Sequence, residues 1–373
     1  MNHKKLTYIV SDINKAIAFE WINEYLPNNI ELSFILLNNR DSFLEDYLKK
    51  NNVLFHRISV SSKKDYLKAI FKTKRLLKKW NTEIVHCHLR HANFVGLVAS
   101  KMARIKTRIY TRHHSTYHHD YFPKAVKIDS FINKLSTDIV AISENVKDVL
   151  IQKENVNANK IHLIHHGFDL DKFLEIEASE IQFIKNKYAI NSDKITIGVV
   201  ARFINLKGHK YIIEAFSHIL KSTPNAHFIF AHASGPDYEE IHQIITSSLP
   251  QESFTEIKFE NNLFALYQLF DYYIHVPINK EIEAFGQTYI EALASGTPMI
   301  CTKSGVANEF IEHKTNAMVV PFKNSTEIVN SFIELNNSPI LKKRIIENGL
   351  KSVEKFNLQS FINKLNKLYS VSK

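Results

Sequence analysis

The feature that most constrains this chain is a long alternation of short apolar runs with stretches of helical length. Residues 6–10, 32–37, 83–87, 107–111, 138–143 and 161–164 form one series of runs. Residues 195–200, 227–232, 272–276, 298–301 and 317–320 form a second. Strands that alternate with helices make βαβ units, and chained βαβ units make a parallel sheet covered by helices. At 373 residues the chain exceeds what one core organises, since single cores stop growing at about 250–300 residues. Two doubly wound Rossmann-like α/β domains are expected, with ligands bound beyond the carboxyl ends of the strands. The turn-like cluster His166-Gly167-Phe168-Asp169 marks the junction. The expected division is 1–167, 168–350 and a closing helical segment 351–373.

Glycine placement narrows the chemistry. There are nine glycines and none precedes Gly96. The first run therefore leads into Ser11-Asp12-Ile13-Asn14 without a glycine-rich turn. A dinucleotide fingerprint needs such a turn to bring backbone close to pyrophosphate, so a nicotinamide-dependent enzyme is disfavoured. Cys87 and Cys301 lie far apart in apolar runs and read as buried reduced thiols. The apolar run at 6–10 is too short for a signal peptide, and no run reaches the roughly 18 residues of a membrane span. A cytoplasmic protein is expected, soluble or peripheral at the inner face of a membrane.

The net charge of +10 is unevenly placed. Residues 1–170 hold 27 Lys and Arg against 16 Asp and Glu, whereas the remainder holds 21 against 22. A basic half attracts anionic lipid, nucleic acid or an acidic acceptor. Residues 63–80 concentrate it: Lys63, Lys64, Lys68, Lys72, Lys74, Arg75, Lys78 and Lys79 interleave with Leu67, Ile70, Phe71, Leu77 and Trp80. This is a basic amphipathic helix, serving as a solvated surface helix or as a membrane-surface patch. No recognised nucleic-acid module accompanies it, and nucleic acid is not an expected partner.

The strongest local signal is Glu283-Ala-Phe285-Gly286-Gln287-Thr288-Tyr-Ile-Glu291-Ala-Leu-Ala-Ser-Gly296-Thr-Pro298. Phe285-Gly286 reads as a tight turn opening a helix, and Gly296-Thr-Pro298 stops it. Backbone N–H groups of Gly286, Gln287 and Thr288 at the helix start make an anion-binding geometry. Glu291, one turn in, can accept hydrogen bonds from two vicinal hydroxyls. The pair of glutamates in this setting resembles the signature of glycosyltransferase family 4, of the GT-B fold. That resemblance implies two Rossmann-like domains facing each other across a cleft, with a C-terminal helix crossing back to the first. It implies a retaining, metal-independent hexosyl transfer from a nucleotide-diphosphate sugar to a hydroxyl, without a cofactor. By the resemblance Glu283 and Phe285 belong to the donor-sugar end of the site, Glu291 holds the ribose, and Gly286, Gln287 and Thr288 contact the diphosphate.

A second segment agrees. Arg202-Phe-Ile-Asn-Leu-Lys207-Gly208-His-Lys210 is similar to the family's arginine–lysine–glycine loop. Arg202 and Lys207 would neutralise the diphosphate and stabilise the leaving nucleotide. Looser matches run through 139–146, 163–173, 304–306 and 355–369. Thr111-Arg-His113 fits the family's histidine that faces the donor sugar, with His114 as the alternative; His113, Glu283, Arg202 and Lys207 form the catalytic set. Asp12, His88 and His114 are assigned to the acceptor side. A metal site among the many histidines is not expected, because no carboxylate or cysteine stands at a ligand spacing from them. Three departures are plain: the N-terminal glycine pair is replaced by Ser11-Asp12, Gly-x-Gly-Pro is reduced to Ala-Ser-Gly235-Pro236, and Glu281 stands two residues before Glu283, whose spacing to Glu291 favours Glu283. Expected partners are a nucleotide-sugar donor, a glycan or lipid-linked acceptor, and an anionic membrane touched by the basic half. A nucleotide-sugar epimerase of the same fold and a non-catalytic nucleotide-sugar or nucleic-acid binder are the rival readings.

Overall fold

A computed structural model describes residues 3–371, so the outermost residues of the expected first and last segments, 1–2 and 372–373, lie outside the described residues. The chain forms two compact units, Met1–Phe168 with Leu358–Lys373, and Asp169–Asn357. The first junction falls one residue beyond the expected one. The second is corrected from 350/351 to 357/358: the helix Pro339–Val353 and a 3-10 turn Glu354–Phe356 close the second unit before the chain returns to the first.

The first unit carries a seven-stranded parallel sheet. Its strands are β1 (Lys4–Ser11), β2 (Ile30–Leu37), β3 (Leu54–Arg57), β4 (Ile84–His88), β5 (Thr107–Arg112), β6 (Asp138–Ala141) and β7 (Ile161–Leu163), in the order β3-β2-β1-β4-β5-β6-β7. β1 sits inside, paired on both sides, which is why its apolar run does not alternate. Leu6, Tyr8 and Val10 enter one core, where the closing helix Leu358–Val371 adds Ile362, Leu365, Leu368 and Tyr369. Thr7, on the other face of β1, shares hydroxyl contacts with Ser33 at 2.9 Å and Thr82 at 2.7 Å, so its burial is satisfied. The Tyr369 hydroxyl lies 2.5 Å from that of Tyr8 and 2.7 Å from His86 Nδ1, tying the closing helix to the sheet interior.

The second unit carries a six-stranded parallel sheet of β8 (Ile195–Val200), β9 (Ala226–Ala231), β10 (Phe254–Ile257), β11 (Tyr272–His275), β12 (Met299–Cys301) and β13 (Met318–Val319), ordered β10-β9-β8-β11-β12-β13. Its core stacks Phe216 on Phe228 with centroids 3.8 Å apart, both fully buried, and each such ring contributes about 1.5–3 kcal/mol by leaving water. The alternation in the sequence marks eleven strands, and the structure adds β3 and β10. Both are four-residue edge strands holding half-buried polar residues, so neither makes an apolar run. Among the described residues no helix is long and apolar enough to cross a membrane.

Candidate active site

In the second unit two loops at the carboxyl ends of β8 and β11 meet. The β8 loop turns through a 3-10 turn, Asn205–Lys207, and ends at Gly208 with φ +80°. A side chain there would be strained, and its Cβ would lie 2.1 Å from the carbonyl oxygen of Val276, so only glycine lets this loop lie against the end of β11. The Ile278 amide donates to the Leu206 carbonyl at 3.1 Å and holds the contact. Lys207 is thereby delivered to Glu283: Nζ lies 2.5 Å from Oε1. The same oxygen lies 3.2 Å from Nε2 of His275, the last residue of β11, which is 2% exposed. Burial alone would raise the Glu283 carboxyl. The Lys207 ammonium and His275 outweigh it and hold the carboxyl well below the usual carboxylate range. Glu283 is therefore ionised at neutral pH, while burial lowers His275.

The backbone frames this carboxylate. The Glu283 amide donates to Ser304 Oγ at 3.1 Å, and Ser304 Oγ donates to the Lys280 carbonyl. Phe285 is buried and packs edge-on against Phe356. Gly286 has φ +89° and caps the helix Gln287–Ala294, a turn that L side chains rarely adopt. First-turn amides of a helix have no partner within it, so those at Gln287 and Thr288 give this end a positive aspect. Gln287 is exposed and Thr288 half-buried. Glu281, the sequence neighbour that competes with Glu283, is exposed.

Glu291 stands apart from the cations. Tyr267 donates to its Oε2 at 2.8 Å. Burial pushes its carboxyl up to about 7 against the pull of that hydrogen bond, although the residue as a whole keeps some exposure. Arg202 is exposed and belongs to no ion pair with a carboxylate among the described residues, and its charge helps burial depress His232.

The first unit gathers histidines around the ends of β4 and β5. His88 is 6% exposed, stacks on Tyr8 with centroids 4.9 Å apart, and meets His113 Nε2 through Nδ1 at 3.3 Å. His113 stacks in turn on His166. His86, His88, His113 and His166, with Tyr8, Phe19 and other apolar groups, line a cavity of about 50 Å³. Burial drives His86 down to about 3, His166 to about 4, and His88 and His113 well below their ordinary value, so all four are neutral at pH 7. Asp12 is elsewhere: it is exposed, at positive φ, 3.5 Å from His91, and lines a groove of about 400 Å³ with Asn14, Asn38 and Arg40.

His114 lies in a third neighbourhood. Its Nε2 is 3.2 Å from Asp129 Oδ2, and His118 Nδ1 is 2.6 Å from the same oxygen. No carboxylate stands at a ligand spacing from these histidines in the sequence, yet the fold brings one to them. Asp129 arrives from the helix Pro123–Leu135, a long-range partner that no ligand spacing in the sequence marks. Sequence reasoning also missed His275. Its only signal is a polar residue within the otherwise apolar or aromatic run Tyr-Tyr-Ile-His-Val.

Two Rossmann-like parallel sheets, with a glycine-capped helix start and a lysine–glutamate pair at the strand ends of the second, define a GT-B glycosyltransferase. The description "Glycosyl transferases group 1" matches residues 180–352 and "Glycosyltransferase Family 4" matches residues 18–172. The chain belongs to glycosyltransferase family 4 and is a retaining glycosyltransferase that uses a nucleotide-sugar donor. It is 24% identical over 314 residues to the alpha-monoglucosyldiacylglycerol synthase of Acholeplasma laidlawii, covering 79% of this chain and 77% of that one. It is 21% identical to the UDP-Gal:alpha-D-GlcNAc-diphosphoundecaprenol alpha-1,3-galactosyltransferase of Escherichia coli, over 98% of this chain and 95% of that one. The crystal structure of Anabaena HepE in complex with UDP-glucose superposes with a TM-score of 0.85 at 18% identity, covering 99% of this chain and 100% of that one.

Proposed function

We propose that the chain moves a hexosyl group from a UDP-sugar to a hydroxyl of a glycan, lipid-linked or cell-surface polysaccharide acceptor. The observation that carries this reading is the Lys207–Glu283 pair beside the Gly286-capped helix start, with Glu291 one turn further on. In this reading Arg202, Lys207 and the amides of Gly286, Gln287 and Thr288 take the diphosphate. Glu283 takes donor hydroxyls beside Phe285, Glu291 takes the ribose, and His113 takes the role of the family's donor-facing histidine. Asp12, His88 and His114 serve the acceptor. The bond from the sugar's anomeric carbon to the phosphate oxygen breaks, and the acceptor oxygen bonds that carbon on the same face. The acceptor's proton passes to the departing phosphate. The two cations stabilise charge as it develops on that phosphate, which is where fixed electrostatics contribute most. Uridine is favoured because HepE is solved with UDP-glucose and the Escherichia coli relative is named for UDP-Gal.

The acceptor reading gains from the helix Tyr66–Lys79. Leu67 is 71% exposed and Phe71 57%, one turn apart, among Lys68, Lys72, Arg75, Lys78 and Lys79, with no acidic residue in the helix. An exposed apolar ridge in a cationic field suits an anionic membrane at the cytoplasmic face, at about 1 kcal/mol per lysine near the surface. Flotation with phosphatidylglycerol vesicles checks this: Leu67→Ser with Phe71→Ser should abolish binding, and unchanged binding removes the membrane from the proposal.

The deciding experiment is thermal stabilisation by UDP-, GDP-, ADP- and CMP-sugars, with Arg202→Ala and Glu291→Ala as controls. A ligand of the folded state raises the melting temperature. A shift for UDP-sugars alone, lost in both controls, is the expected result. No shift for any of them at millimolar concentration would sink the donor-site assignment.

A further inference from the structure

Beyond the donor site, a buried polar network of the first unit follows β5. Arg112 and the side chain of Glu154 are each 1% exposed, and they pair with one another. Arg112 also lies 3.4 Å from Asp129 Oδ2 and donates through Nε to the backbone carbonyl of His114 at 3.1 Å. Glu154 receives Asn133 Nδ2 at 2.7 Å and His119 Nε2 at 3.2 Å. Asp129 receives His114 and His118 on the single oxygen Oδ2. Three buried charges cost several kcal/mol each in desolvation, and apolar residues of like volume would often stabilise as well. The arrangement does something apolar residues cannot: it holds one histidine by both its backbone and its ring.

The chemistry of the ring follows from the donor inventory. An ionised carboxylate only accepts, so His114 must carry its proton on Nε2 to meet Asp129. Burial pushes the His114 imidazole down to about 4, so the ring is neutral at pH 7 and its other nitrogen, Nδ1, holds a lone pair. The ring is 25% exposed, whereas Asp129 behind it is 6% exposed. We propose that Arg112 and Asp129 are positioning residues: Arg112 fixes the His114 backbone, and Asp129 fixes the ring as the Nε2–H tautomer, so that Nδ1 accepts a hydrogen bond from a hydroxyl of the sugar acceptor. This rests on the acceptor-side assignment of His114 above. His114, His118 and Asp129 also set three ligand-type atoms within 4.8 Å of one another. The Arg112 guanidinium beside the same Asp129 oxygen repels a cation there, so the geometry points to tautomer control and away from a metal.

The test is an imidazole ¹⁵N spectrum of the full chain labelled at histidine, with the His114 signals assigned by their loss in His114→Gln. It is paired with UDP-glucose binding and UDP-glucose hydrolysis, water standing in for the acceptor. The wild type should show His114 as the Nε2–H tautomer. The isosteric Asp129→Asn should mix the two tautomers and lower hydrolysis about tenfold or more, with UDP-glucose affinity held within about twofold. An Nδ1–H tautomer in the wild type overturns the proposal, and so does a tautomer unmoved by Asp129→Asn. Mixing without loss of turnover overturns it too, as does one equivalent of tightly bound zinc. The wild-type spectrum decides even if the variant fails to fold. A failure of UDP-glucose to bind the wild type is read separately and counts against the donor assignment instead.

Discussion

The strand ends of the two units solve the problem of buried polar groups in opposite ways. Around β4 and β5, burial strips the charge from His86, His88, His113 and His166, leaving a wall of neutral imidazoles. Around β11, Lys207 and His275 keep Glu283 charged against the same pressure. Neutral imidazoles donate and accept hydrogen bonds without fixing a charge, which suits hydroxyl-bearing ligands. A lysine shared with a carboxylate, beside a helix start, suits an anion whose charge grows during bond cleavage. Basicity summed over each half would suggest the reverse assignment, because the first half carries the excess of lysine. In the proposed reading, local pairing and not net charge decides which strand ends handle phosphate.

The largest effect should come from breaking the charged side of this contrast. Lys207→Ala removes the ammonium that offsets the burial of the Glu283 carboxylate. Turnover of the donor identified by the thermal screen should fall by about 10²–10³-fold, with a stability loss on the order of 2 kcal/mol. A turnover within threefold of wild type would show that Lys207 serves the fold only.

A second expectation separates the units by pH. Histidines whose folded pKa lies below 6.5 bind fewer protons folded than unfolded, so their contribution is present above pH 6.5 and is lost as pH falls below it. Each fully buried one costs about 1.4 kcal/mol per pH unit over that range. The lowered Glu283 carboxyl contributes stability that begins to fade only below about 4.5. The raised Glu291 carboxyl works the other way, its contribution being full below 4.5 and lost as pH rises through about 7. Burial lowers His209, His227, His232 and His275 of the second unit as well, but its raised Glu291 gains over the same range, so acidification from pH 7 to 5 should loosen the first unit more than the second. Hydrogen exchange by mass spectrometry, corrected for intrinsic rates, reads this directly, and equal loosening in both units would break the comparison.

The smallest effect sharpens the difference between the two glutamates. Glu291→Gln removes a carboxyl that folding holds at raised pKa, so stability at pH 8 should hold or rise slightly while donor affinity falls about tenfold. Glu283→Gln should lose stability at the same pH. Parallel melting curves distinguish them, and equal losses would mean that Glu291 has a cation partner.

What was legible in the sequence was what lies close together in it. The segment from Glu283 to Pro298 declares a turn, a helix and a stop within one short stretch, and the arginine–lysine–glycine loop lies within Arg202 to Gly208. His275 and Asp129 meet Glu283 and His114 across intervening turns and elements, at separations of eight and fifteen residues that match no motif spacing. The strands β3 and β10 escaped because an edge strand half-exposed to solvent need not be apolar. The second domain boundary was misplaced because residues 351–357 continue a helical pattern on either side of the point where the chain changes unit.

The return of the chain at Leu358 has a consequence for synthesis. The second unit is contiguous, and every strand of it leaves the ribosome before the helix that carries Tyr369 into the core of the first. The first unit, although begun earlier, waits with Tyr8 and His86 unpartnered by that helix until its neighbour has been made. The domain translated second is thus able to finish folding first, and a nascent chain stalled before Leu358 carries one finished domain and one open core for chaperones to guard.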